Sequence, residues 1–431
     1  MATLNPFRGL RYSAVAEMVD LVAPPYDVIS PQQRSDLAAR HADNIVEVIL
    51  PDGVDDGRYD KAGVRWRQWL DSGVVEMDAS PSLYLLQETF KTPSGEELTR
   101  IGVIGEIDLE DPSSGSVKRH ERTFAGPKAD RLKLTRSCQA NLSPLLGLYS
   151  DGDRLIETAA ENHTSHTPDV DVLTDGVRRR LWVVDDPVFA QTARSVLEQR
   201  VLVIADGHHR YETALEYRDQ CRLDSVGEGR QPHDSVMFCC VNILDSGVVA
   251  QPYHRLVSGP VELSQLNDRL PECFSVDQIG FDLPTSLVIC RLEEAGMDRS
   301  ALALYDRDGG WRILTLVDQK ASDALVGGTL SSQWRHLDVT LLHYVVLGDM
   351  LGIDPVDIQE DMSIEYTTDI KTAKESVDNF RADMLCAMNP TPPQQVVQIA
   401  LENESMPHKS TYFSPKLLTG LVMRDLSPSQ M

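Results

Sequence analysis

The chain has 431 residues, with 41 basic and 66 acidic side chains and a formal charge of −25 with histidine neutral. An acidic surface of that size repels phosphate backbones and sets aside nucleic acid as a main partner, while the length allows two or three domains with filled cores. No apolar run approaches the roughly 20 residues of a spanning helix, and MATLNPFRGLRYS lacks the basic-then-apolar build of a secretory signal, so a cytoplasmic protein without membrane contact is expected.

Residues 1–80 read as an N-terminal α/β region. FRGLRY and APPYDVISPQQR are loop-rich, and Ser30 stands where it can cap the helix that follows. NIVEVILP has the look of a strand, and YDKAGVRWRQWLDSG that of a helix closed near Gly73. The next part, 81–258, reads as the core. PSLYLLQETFKT, a PSGEE turn and LTRIGVIGEIDLE alternate at period two, as a hairpin does. A DPSSGS turn leads into VKRHERTFAGPKADRLKL, charged with one short apolar cluster. NLSPLLGLYSD and GVRRRLWVVDDP carry strands near 145 and 178–184, and PVFAQTARSVLEQ a helix at 187–199. DSVMFCCVNIL and GVVAQPYHRLV look like a strand pair. Residues 259–335 mix short strands and helices. Residues 336–431 read as a helical region, with helices at 336–350 and 370–380, that ends in the segment MPHKSTYF. The alternation points to a mixed α/β to α+β fold, since hairpins argue against a purely parallel sheet. The seven cysteines are scattered without CxxC spacing, so zinc-ribbon and disulfide frameworks are disfavoured. Cys239 and Cys240 read as small core residues.

Three stretches could carry chemistry. In VLVIADGHHRYETALEYR an apolar run ends at Asp206 and Gly207, and a helical pattern starts at once. A helix N-terminus there would aim backbone N–H groups and the helix dipole outward. Gly207 allows φ > 0 or close approach. His208, His209 and Arg210 add donors, Arg with a fork suited to phosphate. The plain alternative is a tight turn capped by Asp206. Adjacent helical histidines point about 100° apart and rarely share one ion, so no metal ligand set is assigned.

In HERTFAGPKADRLKL, His120 and Glu121 precede a Gly-Pro turn followed by Lys128, Asp130 and Arg131. One reading is an exposed charged face, and the other a general base with a cationic clamp for a phosphorylated ligand. In MPHKSTYFSPK, Lys409, Ser410, Thr411, Tyr412 and Lys416 lie in a segment of little helical periodicity, which suits either a binding loop or an edge packed through Tyr412 and Phe413.

FRGLRY, APPYDVIS, RHERTFAGPKADRL, NLSPLLGLYSD, IADGHHRYETALEYR, NPTPPQQV and MPHKSTYFSPKL occur in this order. On them the chain resembles, over nearly its whole length, the bacterial and archaeal family called domain of unknown function 1015, often labelled ParB-related. Locally the DGHHR turn is similar to that of the ParB/sulfiredoxin-like superfamily, which includes free-serine kinases. That resemblance implies a ParB/sulfiredoxin-like α/β core with additional mixed-sheet regions. It implies a phosphate site at Gly207, His208, His209 and Arg210, and catalytic roles for Glu121 as base with His120 and Asp206. Lys128, Asp130, Arg131, Lys409, Ser410 and Thr411 become candidate substrate contacts.

The function expected on this basis is phosphoryl transfer involving a small hydroxy or phosphorylated metabolite, serine or phosphoserine first. A nucleotide or other phosphoryl donor and Mg²⁺ would take part, and an oligomer is left open. The alternative is a ParB-like nucleotide-binding regulatory or partitioning protein without turnover, which the charge and the lack of a basic helix oppose. A metal-dependent hydrolase built on His208, His209, Asp185 and Asp186 lacks recognisable ligand spacing.

Overall fold

The computed structural model describes residues 2–427 except 93, 94, 112, 114, 122, 124, 225–228, 260–262 and 354–363. Parts of the expected PSGEE and DPSSGS turns (Pro93, Ser94, Pro112 and Ser114), and Arg122 and Phe124 of RHERTFAG, lie outside the described residues. The chain divides into two compact units. The first gathers Met1–Arg119, Thr123–Val249 and Pro415–Met431, and the second His120–Arg122 and Ala250–Ser414. Residues 1–80 and most of 81–258 therefore share one unit, while 259–335 and 336–414 share the other.

The first unit is built on a mixed sheet. Its strands run in the order Val117–Lys118, Leu202–Asp206, Leu145–Tyr149, Ser235–Asn242, Glu97–Asp108, Leu83–Lys91, Val177–Val184, Val170–Thr174, with Leu4–Asn5 pairing onto Glu97–Asp108. Two pairings are parallel, Leu202–Asp206 with Val117–Lys118 and Ser235–Asn242 with Leu145–Tyr149. The expected hairpin forms with Glu88 opposite Arg100. Every residue of Ser235–Asn242 is buried, as befits a central strand covered on both faces, and Cys239 and Cys240 are core residues there. Helices Leu155–Thr164 and Pro187–Glu198 lay Ile156, Ala160, Phe189 and Ala193 into the core cluster of this sheet.

A smaller antiparallel sheet orders Val75–Met77, Gly9–Tyr12, Met423–Asp425 and Ala140–Asn141. Ser30 and Gln33 form a capping box on helix Pro31–Arg40. Helix Gly57–Ser72 buries Tyr59, Ala62, Trp66 and Trp69 along one stripe and ends at Gly73, whose φ of +75° is open mainly to glycine.

The second unit carries an antiparallel sheet in the order Phe274–Gly280, Gly310–Leu316, Ala301–Asp306, Met384–Met388, His254–Val257, Ile364–Thr367. Helices Thr285–Gly296 and Ile370–Asp378 cover it, through Val288, Leu292, Ala373 and Val377. Mixed pairing in one unit and antiparallel pairing with covering helices in the other make the fold mixed α/β to α+β. Among the described residues no helix is long and apolar enough to cross a membrane.

Two sequence expectations are corrected. NIVEVILP holds the short helix Val46–Ile49, not a strand. The buried Asn44 carboxamide accepts from Val46 N–H (2.9 Å) and donates to the Asp20 carbonyl (2.6 Å), which starts the helix. With Ile45, Val46, Val48 and Ile49 all buried, the short run has no polar period to betray its type. DSVMFCCVNIL and GVVAQPYHRLV are not a pair. The first strand bonds to Glu97–Asp108 and Leu145–Tyr149, whereas His254–Val257 bonds to Ile364–Thr367 and Met384–Met388 in the second unit. Local alternation identifies a strand and does not choose its partner.

Candidate functional site

The DGHHR turn stands in the first unit at the end of Leu202–Asp206, whose first four residues are buried. Helix His208–Asp224 begins immediately, and its ladder opens with Tyr211 N–H donating to the Gly207 carbonyl at 3.0 Å. Gly207 has φ +97°, and a Cβ there would lie 3.0–3.1 Å from the Arg210 guanidinium. The φ favours glycine, and a Cβ would also push the Arg210 fork back by a few tenths of an ångström. The amides ahead of Tyr211 form the positive end of a 17-residue helix.

Asp206 is gripped from two sides. Arg210 Nη2 donates to its Oδ2 at 2.8 Å, and Lys416 Nζ pairs with its Oδ1. Arg210 Nη1 also donates to Ser143 Oγ (2.8 Å) and the Pro144 carbonyl (2.7 Å), which fixes the fork. Burial alone would raise the Asp206 carboxyl, but Lys416 and Arg210, with His208 beside them, hold it down at about 2. Two cations on one carboxylate, at the start of a helix, leave a net positive corner. His208 is buried and His209 half-buried.

Lys416 is itself positioned by a buried network. Glu88, Arg179 and Arg100 stand directly opposite one another on three neighbouring strands. Arg179 Nε donates to Glu88 Oε1 at 2.9 Å and Arg100 Nε to Oε2 at 2.7 Å. One donor of each arginine turns to the chain before and at the lysine: Arg100 Nη2 bonds the Pro415 carbonyl, and Arg179 Nη2 the Lys416 carbonyl at 3.1 Å.

The GPKADRL element is helical within Ala125–Cys138. Lys128 Nζ donates to Glu212 Oε2 at 2.9 Å, and Arg119 and Thr123 also bond this carboxylate on the second turn of helix His208–Asp224. Asp130 is paired with Arg131 and with Arg58 (2.8 Å). Against the upward push of burial, Arg131 and the Tyr59 hydroxyl lower its pKa. Arg131 donates to the Ile49 carbonyl (2.8 Å) and lies 4.0 Å over the Tyr26 ring.

His120 and Glu121 belong to the second unit, together with Lys409, Ser410 and Thr411. The Met406 N–H donates to the His120 carbonyl at 2.7 Å, and His120 Nε2 is 3.0 Å from Thr411 Oγ1. Glu121 Oε1 accepts the Lys409 N–H (2.7 Å) and pairs with His408 Nδ1 at 3.2 Å. Lys409 takes φ +55°, and Ser410 Oγ donates to the Pro407 carbonyl. Beneath this loop Arg255, 1% exposed, donates Nη2 to the Lys409 carbonyl (2.9 Å) and Nε to His343 Nε2 (3.3 Å). Burial draws its pKa down to about 10, against the pull of Tyr366 and Glu121.

The structure thus joins His120 and Glu121 to the HKST segment, and joins Asp206 and Arg210 to Lys416. Lys128 meets Glu212 and not Asp206. Asp186 caps helix Pro187–Glu198 by accepting the Val188 N–H (2.8 Å). The sequence gives no sign of Arg255 as a site residue, and it offers Lys416 only as part of a possible loop with Lys409, not as a partner of Asp206. The only sequence signal for Lys416 was its place in MPHKSTYFSPK, where it looked continuous with Lys409, although the two residues fall in different units. Arg255, in the apolar strand YHRLV, was a buried charge without a partner in view.

The chain belongs to the family described as protein of unknown function, DUF1015, whose sequence model matches residues 4–340. No curated protein matches it. Among solved structures it is similar to a conserved hypothetical protein from Pyrococcus furiosus, at 14% identity and a TM-score of 0.35, over 73% of this chain and 92% of that one. It is similar to a free serine kinase in complex with AMP at 14% identity and a TM-score of 0.36, over 72% and 86%. SbnI from Staphylococcus aureus, truncated at its C-terminus, shares 9% identity at a TM-score of 0.37, over 73% and 85%.

Proposed function

We propose that the protein is a phosphotransferase acting on a small hydroxy or phosphorylated metabolite, with serine and phosphoserine the first candidates and a nucleotide as phosphoryl donor. The observation that carries this reading is the corner at Asp206, where Lys416 and Arg210 share one carboxylate at the positive end of helix His208–Asp224. Phosphoryl transfer demands little covalent chemistry of a protein; it needs oriented donors and cations where negative charge gathers. Gly207 lets the backbone approach a phosphate closely, Arg210 presents a fork whose position is set by Ser143 and Pro144, and Lys416 supplies a point charge.

Any Mg²⁺ would arrive with the donor and not be held by the protein beforehand. Among the described residues no group of three or more His, Cys, Asp or Glu is arranged to hold a metal, and Asp206 offers one carboxylate already engaged by two cations. Such an ion would take most of its oxygens from the phosphates and would neutralise their charge. Glu121 is the candidate base on the substrate hydroxyl.

The test is calorimetric titration with ATP, ADP, pyrophosphate, serine and phosphoserine, with and without Mg²⁺, followed by phosphoryl-transfer assays. Lys416→Met should weaken binding of the phosphorylated compounds about tenfold or more, the scale of one charge-assisted contact. If no phosphorylated compound binds, the reading fails. Glu121→Gln should abolish turnover while binding persists, and unchanged turnover would remove the base role. Nucleotide binding without transfer to any hydroxy compound would favour a regulatory, ParB-like protein instead.

A further inference from the structure

We propose that a pocket in the first unit, between helices Ala125–Cys138 and His208–Asp224 and strand Ser235–Asn242, is a binding site for a short-chain monocarboxylate. The proposal does not depend on phosphoryl transfer.

The pocket has about 70 Å³ of free volume. At ~10–15 Å³ per water-sized centre, that holds about five waters or a compound of roughly five to seven heavy atoms. Its walls are largely aliphatic, through Leu134, Leu142 and Val236. Two buried polar atoms on it are unsatisfied: among the described residues, Thr213 Oγ1 and His233 Nε2 have no hydrogen-bond partner. Thr213 is 3% exposed and His233 8%. A buried hydroxyl or imidazole left unpaired is costly and rare in folded proteins, so two on one small pocket point to an absent partner. A threonine inside a helix ordinarily returns its hydroxyl to the carbonyl one turn back, which Thr213 does not do.

The sign of the field selects the partner. Among the described residues the lining includes the guanidinium-bearing Arg131 and Arg210 and no aspartate or glutamate. Both arginines are held by bonds to their own neighbours, so they contribute a fixed positive potential and keep their ion pairs with Asp130 and Asp206. Tyr26, whose phenol burial pushes up to about 12, stays protonated. Burial lowers the His233 pKa, and the neutral ring can carry its proton on Nε2 and donate it, while Thr213 donates its hydroxyl. A carboxylate accepts both donors, and an aliphatic tail of two or three carbons fills the remaining space. Inorganic phosphate has no tail for these walls and is costlier to strip of water.

The experiment uses the full chain and n-butyrate. Calorimetry or ligand-observed NMR should show saturable binding with a dissociation constant on the order of a millimolar. Butyrate should shift the His233 ring protons, and n-butanol should bind about tenfold more weakly. Thr213→Val, which keeps the shape, should weaken butyrate about tenfold, and Ala214→Leu, which fills the pocket, should abolish binding in a folded protein. Three results would overturn the proposal: no saturation at concentrations roughly 20-fold above that constant, equal affinity in Ala214→Leu, or displacement of butyrate by equimolar phosphate. The last would place the anion at the DGHHR turn, where Lys416→Met and not Thr213→Val would weaken it, so the two sites fail separately.

Discussion

Replacing Glu88 with glutamine should destabilise the first unit by roughly 3–5 kcal/mol. Glu88 is 1% exposed and serves two arginines, Arg100 and Arg179, that are 2% and 4% exposed. The substitution preserves shape and removes the carboxylate that bonds both guanidiniums, leaving two buried cations facing each other. Removing one partner of a buried ion pair costs about 3–5 kcal/mol for the charge left behind. At about 2 °C per kcal/mol for a unit of this size, calorimetry should record a fall of roughly 6–10 °C in the midpoint. Arg179→Met should cost less, because Glu88 and Arg100 still pair, and burial already draws the Arg179 pKa down despite Glu88. The double variant Glu88→Gln with Arg179→Met should then recover part of the loss, since it relieves the repulsion between the guanidiniums. A Glu88→Gln midpoint within about 2 °C of wild type, or a double variant worse than the sum of the singles, would refute the reasoning.

Gly207→Ala should cost about 1–2 kcal/mol in urea unfolding, because φ +97° and the 3.0 Å approach of Arg210 both oppose a Cβ. It should also weaken pyrophosphate binding by displacing the Arg210 fork. Asp338 is pushed up to about 7 by burial, although Ala301 N–H donates to it at 3.1 Å. The folded state therefore keeps a proton that the unfolded chain releases, and this contribution is lost as pH rises from about 4 through 7. Asp338→Asn should remove that decline, with unfolding midpoints from pH 5 to 8 flatter than wild type. His254 moves the other way: burial, with Arg255 beside it, lowers its pKa to about 4, and its Nδ1 accepts the Met388 N–H at 3.1 Å. Stability it supports above its unfolded pKa of ~6.5 should disappear as pH falls towards 4, most plainly in the Asp338→Asn background.

Where an element announces itself by its own period or cap, the sequence suffices. The Ser30 cap, the helix over YDKAGVRWRQWLDS, its end at Gly73 and the strand–turn–helix at Asp206 were all legible because each is made by neighbours in the chain. NIVEVILP was not, since a fully buried single turn and a fully buried strand share one composition. The candidate site was half legible for a related reason. Asp206, Gly207 and Arg210 are contiguous, but the groups that position Lys416 come from residues 88, 100 and 179, and no local pattern links them. Lys409 and Lys416 show the limit most clearly, because they stand seven positions apart and fall in different units.

Strand Met423–Asp425 lies between Gly9–Tyr12 and Ala140–Asn141, not at the margin of its sheet. During synthesis the first 249 residues must therefore wait, through the whole second unit, for a strand that belongs in the middle of their own sheet. Until it arrives, two ladders of unpaired backbone groups stay open to any passing extended chain. A chain halted at Val249 should be sticky and should lack the lysine at the Asp206 corner. Joining residues 415–427 back to it by a short linker is the rational way to obtain that unit alone.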